Sequence, residues 1–188
     1  MKRVFIVHGW AGSPTGDWVA WAKQAFEQKG FRAVAPEMPD TLRPNIDAWV
    51  GYLRQVVGEP DSDTYFVGHS IGCQTILRYL ETIHTPVGGA VFVAGWFGLE
   101  NLESPEVEEI AKPWLTTPIN LEKVRAVLPK SVLLISANDN YGAYEQNVQK
   151  FTELGSEIVV LQDAGHITAS DGFTELPQLV EVFNSAFH

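Results

Sequence analysis

"FVGHSIGC", residues 66–73, sets a serine two positions from a glycine on either side, at the end of an apolar run. Gly68-His69-Ser70-Ile71-Gly72 fits the pattern G-x-S-x-G. It follows an apolar segment and opens a helical stretch, from Ile71 to about His84, that Thr85-Pro86 closes. In a sharp strand-to-helix turn the central residue takes a positive φ, and residues two positions away must be small to avoid collision. Gly68 and Gly72 meet that demand. Such a turn lifts the Ser70 hydroxyl clear of the sheet and aims the first N–H groups of the helix at any anion that forms beside it.

Outward from this turn, short β-branched runs alternate with stretches of helical period. The expected strands are "RVFIV" (3–7), "FRAVAP" (31–36), "TYFVG" (64–68), "GAVFVAG" (89–95), "SVLLIS" (131–136) and "EIVVLQ" (157–162). Between them run the stripes Trp18, Ala22, Ala25, Phe26; then Ile46, Trp49, Val50, Leu53, Val57; then Tyr144, Val148, Phe151, Leu154; and finally Leu176, Leu179, Val180, Phe183, Phe187. This alternation predicts an α/β fold, a parallel sheet covered by helices on both faces in a three-layer α/β/α sandwich. One segment interrupts it. Residues 96–129, with an acidic stretch, Pro105, Pro113 and Pro118, and an amphipathic turn or two near Leu121–Leu128, read as a short cap-like insertion in a single domain spanning 1–188.

Thirteen basic against 23 acidic residues leave a net charge of −10, which argues against nucleic acid and anionic membrane surfaces as partners. The single cysteine, Cys73, permits no internal disulfide. The long apolar run Val87–Leu99 is broken by four glycines and falls short of the roughly 20 residues of a bilayer span. A cytoplasmic protein without metal or cofactor is the expectation.

A serine hydroxyl becomes nucleophilic only when an imidazole takes its proton, and the imidazole needs a carboxylate to orient it. In folds of this kind the chain order is serine, acid, histidine. Three histidines follow Ser70. His84 closes a helix and His188 is the last residue, whereas His166, in "DAGHIT", emerges just past the final strand on the same sheet edge as the turn. Asp139, in "SANDN", ends strand five at that edge; Asp163 is the rival, but a tight loop gives it an awkward return to the ring. The expected oxyanion donors are the backbone N–H groups of Ile71 and of Trp10, in the first loop "HGWAGSP", where His8 acts as a brace. Trp96, Phe97, Trp114, Tyr141 and Ile167 are candidates to line an apolar acyl pocket.

Taken together, "FIVHGW", "PEMPD", "VGHSIG", "FVAGW", "INLEKVRAVLP", "LLISANDN" and "LQDAGHIT" resemble the α/β-hydrolase superfamily. More narrowly, they resemble its small retinoblastoma-binding-protein-like (YdeN-type) serine hydrolases, over nearly the whole chain. The resemblance implies Ser70 as nucleophile, Asp139 as acid, His166 as base, and six strands in the order 2-1-3-4-5-6. Where relatives carry a proline after the acid or a second acid before it, this chain has Asn138 and Asn140. The expected activity is hydrolysis of small carboxylic esters or amides. The alternative is a protein-interaction factor that docks through the acidic 96–129 segment.

Overall fold

The computed structural model describes residues 1–187; His188 lies outside them. The strands are β1 (Arg3–Val7), β2 (Arg32–Val34), β3 (Thr64–His69), β4 (Gly89–Val93), β5 (Ser131–Ser136) and β6 (Glu157–Leu161). They form one sheet in the order β2-β1-β3-β4-β5-β6, and every neighbouring pair is parallel. The helices are α1 (Val19–Gln28), α2 (Ile46–Val57), α3 (Ile71–Leu80), α4 (Pro105–Thr116), α5 (Leu121–Val127), α6 (Tyr144–Leu154) and α7 (Pro177–Phe187).

Because side chains alternate across a strand, each strand feeds two cores. Phe5, Val7, Phe66, Phe92, Leu133 and Ile135 meet α2, α3, α5 and α6 on one face through Trp49, Leu53, Ile76, Val127 and Phe151. Val4, Ile6, Val67, Val91, Val93 and Leu134 meet α1 and α7 on the other, through Ala22, Phe26, Leu179 and Phe183. β3 lies between β1 and β4 and is buried along its whole length, so the chain leaving it at Ser70 starts from the interior of the sheet.

The expected strand ends hold to within a residue or two; the second strand, trimmed at both ends to Arg32–Val34, is a short edge strand of the kind that resists edge-to-edge pairing. The helix after Ser70 is shorter than expected. It ends at Leu80 rather than near His84, because the Thr82 hydroxyl takes the Tyr79 carbonyl at 2.7 Å and the following amides bond three residues back instead of four. His84 therefore sits in an exposed turn beyond the helix.

The 96–129 segment is more ordered than its prolines suggest. Ser104 caps α4 by accepting the Val107 N–H, Pro105 takes the first turn where no donor is needed, and Glu106 and Glu108 face the positive helix end. The segment is tied down at its start and at the end of α4. Asn147 accepts the N–H groups of Phe97 and Gly98 at 2.7 and 2.9 Å, and the buried Arg78 donates to the carbonyls of Trp114 and Thr117. No helix among the described residues is long and apolar enough to cross a membrane.

Candidate active site

Ser70 has φ 53° and ψ −119°, a strained conformation held by the surrounding structure. Its N–H bonds the Val93 carbonyl at 2.9 Å, which fastens the turn to β4. A β-carbon on Gly72 would collide with the Val7 carbonyl oxygen, and one on Gly68 would lie 2.8 Å from the Cys73 nitrogen. Glycine at both positions therefore lets α3 start directly over the ends of β1 and β3. Cys73 is buried in the first turn of that helix, and burial pushes its thiol up, which leaves it inert as a nucleophile.

Three side chains from three strand ends meet beside this turn. The Ser70 Oγ lies 2.8 Å from His166 Nε2, and His166 Nδ1 lies 2.7 Å from Asp139 Oδ2. An ionised carboxylate only accepts, so Nδ1 carries the proton and Nε2 is left to accept from the serine hydroxyl. The other Asp139 oxygen accepts the N–H groups of Tyr141 at 2.9 Å and Gly142 at 3.3 Å. Burial alone would raise the Asp139 pKa; the hydrogen bond and charge of His166, together with those two amides, outweigh it and hold the carboxyl below its ordinary value. Asp163, the rival acid, is exposed and has no bond to the ring.

Asn138 braces the loop beside the Asp139 carboxylate. Its Oδ1 accepts the Ser136 hydroxyl at 2.6 Å and the Gly165 N–H at 2.9 Å, so the residue before the carboxylate braces the loop that carries His166.

The loop after β1 passes directly over Ser70: a β-carbon on Gly9 would stand 3.5 Å from the serine Cβ. His8 holds the loop by donating from Nδ1 to the Gly9 carbonyl and accepting the Met38 N–H at Nε2. The N–H groups of Trp10 and Ile71 have no protein acceptor among the described residues, and both residues line the cavity at Ser70.

That cavity measures about 510 Å³ and is walled in part by Trp10, Trp96 and Tyr141. Three other candidates lie elsewhere. Phe97 turns away because Asn147 pins its backbone, and its ring packs on Phe151; Trp114 is buried, donating to the Pro44 carbonyl; Ile167 is fully buried in the α1/α7 core. Leu99, Leu102, Val107 and the polar residues Asp17, Thr168 and Asp171 take their place.

Three hydrogen bonds had no reading in the sequence. The indole N–H of Trp96 reaches the Ser70 Oγ at 3.3 Å, so the hydroxyl accepts from one ring and donates to another. His69 donates from Nε2 to the His166 carbonyl at 3.0 Å, while Trp18 donates to the Ile167 carbonyl at 2.9 Å. Only the first half of that clamp left a trace: residue 69 continues the alternation of Tyr65 and Val67 toward the α1/α7 face.

This sheet order, with a serine on a strained turn past the third strand, defines an α/β-hydrolase fold. Within it, the chain belongs to the serine hydrolase family, whose model matches residues 4–185. It is similar to the hydrolase YdeN of Bacillus subtilis (strain 168), at 26% identity over 99% of this chain and 96% of the relative. It is equally similar to the serine hydrolase RBBP9 of Rattus norvegicus, at 26% identity over 97% of this chain and 94% of that one. The crystal structure of the B. subtilis ydeN product superposes with a TM-score of 0.89, covering 98% of both chains. The carboxylesterase CesB of B. subtilis shares the fold at a TM-score of 0.66 and 13% identity, over 99% of this chain and 83% of that one.

Proposed function

We propose that the protein hydrolyses small carboxylic esters, with amides as the alternative substrate class, through an acyl-Ser70 intermediate. The observation that carries this reading is the unbroken hydrogen-bond chain Ser70–His166–Asp139 at the edge of a cavity. Ser70 Oγ bonds to the substrate carbonyl carbon as its proton passes to His166 Nε2. The oxyanion is held by the N–H groups of Ile71 and Trp10, and the leaving oxygen departs with the proton from His166. Water then attacks the acyl-enzyme by the same route, releasing the acid and restoring Ser70. Asp139 stays ionised and holds the imidazole in the tautomer the transfer needs.

Residues 96–129 serve as a partial cap in one hydrolase domain, since Leu99, Leu102 and Val107 from this segment wall the cavity. A volume of about 510 Å³ suits short and medium acyl groups. Labelling with a fluorophosphonate probe, read beside turnover of a graded chromogenic ester panel, tests the assignment. Wild type takes the label, and Ser70→Ala loses it together with roughly 10⁵- to 10⁶-fold in turnover. Equal labelling of the two proteins overturns it.

A further inference from the structure

The two walls of the cavity at Ser70 come from opposite layers of the molecule and differ in chemistry. Trp96, Leu99, Leu102 and Val107 form one, from the connection after β4 and the first turn of α4, and Trp96 and Leu99 pack into the α2/α3 core. Asp17, Thr168 and Asp171 belong to the other, from the first loop and the turn after His166. Asp17 accepts the Ala169 N–H at 2.7 Å, which joins these two segments into one surface, and Asp171 accepts both the N–H and the hydroxyl of Thr168. Glu103, bonded by the Tyr141 hydroxyl at 2.8 Å, adds a third carboxylate at the rim. Among the described residues no lysine or arginine lines the cavity. The field is felt at Tyr141, whose phenol is raised by its bond to Glu103, by burial, and by the charges of Glu103, Asp171 and Asp139.

The direction of proton transfer decides which part of a substrate meets which wall. The leaving oxygen takes its proton from His166 Nε2, so the leaving group lies on the His166 side of Ser70, and the acyl substituent extends toward the other. The wall beside His166 is the more polar one, with two of the three carboxylates, Asp17 and Asp171; the third, Glu103, stands on the β4–α4 segment, where the Tyr141 hydroxyl bonds it. We propose that the preferred substrate joins an apolar acyl group, seated on Trp96, Leu99, Leu102 and Val107, to a neutral or cationic hydroxylated or amino alcohol, seated on Asp17, Thr168 and Asp171. This rests on the Ser70 reading above and adds the class of leaving group to it. An anionic alcohol is disfavoured, because three carboxylates face the cavity with no cation to offset them.

Three butyrate esters differing only in the alcohol test this: those of choline, glycerol and 3-hydroxypropanesulfonate, with butyrate release followed by titration at fixed pH. The expected kcat/KM falls from choline through glycerol to the sulfonate. About tenfold or more separates the first and last at low ionic strength, narrowing as salt is raised. In Asp171→Asn and Asp17→Asn the choline-to-sulfonate ratio shrinks. Equal kcat/KM for choline and sulfonate esters, or a ratio untouched by both substitutions, overturns the proposal. If wild type takes the fluorophosphonate label at Ser70 yet treats the three esters alike, only the leaving-group assignment falls; if Ser70 takes no label and no ester is cleaved, both fall.

Discussion

His69 and His166, 97 residues apart, are joined by a hydrogen bond of 3.0 Å from the Nε2 of the first to the backbone carbonyl of the second. The residue before the proposed nucleophile thus holds the backbone of the proposed base. Trp18 holds the next carbonyl, that of Ile167, whose φ of 57° turns the loop back over the sheet edge. Two ring N–H donors on successive carbonyls leave the His166 ring little freedom except to swing between Asp139 and Ser70.

This clamp makes stability depend on pH. Burial, and then the neighbouring His166, push the His69 pKa down to about 4. An unfolded chain takes up a proton there near pH 6.5, whereas the folded one resists until about pH 4. Stability contributed by His69 is therefore complete above pH 6.5 and is lost as pH falls through that window, by up to about 3 kcal/mol. Urea unfolding between pH 4.5 and 7.5 measures the slope. His69→Gln flattens it, and an unchanged slope in that variant counts against the assignment.

Asp139→Asn removes the acceptor that orders the His166 tautomer. Turnover drops about 10³- to 10⁴-fold while fluorophosphonate labelling slows in parallel. Since the folded carboxyl sits below its ordinary value, its contribution to stability is present above about pH 4 and disappears only as pH falls below that. Loss of wild-type activity between pH 7 and 5 consequently reports a group other than Asp139. An Asp139→Asn variant that turned over and took the label at the wild-type rate would contradict the role given to this carboxylate.

Trp96→Phe keeps an aromatic ring but deletes the N–H that reaches Ser70 Oγ. That donor acts most strongly where Oγ carries charge, in bond formation and again in expulsion from the acyl-enzyme. The expected loss is about 10- to 100-fold in kcat with KM within about threefold. Stopped-flow comparison of burst and steady-state rates shows whether both steps slow. A change confined to KM would make Trp96 a pocket wall only.

Glycines 72 and 51 should respond in opposite directions to alanine. At Gly72 the added methyl meets the carbonyl oxygens of Val7 and His8, neither of which can move without shifting β1, so Gly72→Ala costs about 3 kcal/mol or more. At Gly51, inside α2, nothing lies within 4 Å, and alanine stabilises by about 0.5–1 kcal/mol through helix propensity. Thermal melts of the two variants check the pair.

What the amino-acid order determines here is everything that depends on neighbours in the chain. Short β-branched runs set between helical stripes located all six strands, because burial on both faces of a parallel sheet demands apolar residues on both sides of each strand. Gly68 and Gly72 marked the turn, because only a missing β-carbon lets α3 start against β1. Serine, acid and histidine stood out because each follows a strand at one sheet edge, and the fold brings these three within hydrogen-bond distance of one another. The helix α4 had no reading in the sequence, where the acidic run and prolines of 96–129 gave only a cap-like insertion with a turn or two near Leu121–Leu128, although Ser104 caps it.

Only the folded chain decided which way each aromatic faces. Trp96, Phe97, Trp114 and Ile167 look alike as apolar residues near a rim, but Asn147 turns Phe97 inward, Pro44 receives Trp114, and Ile167 closes the α1/α7 core. The clamp on His166 spans 97 and 149 residues of chain, and no local pattern encodes a bond between groups so far apart. Side-chain direction at such positions is set by packing across layers, a property of the assembled sheet and helices rather than of any segment.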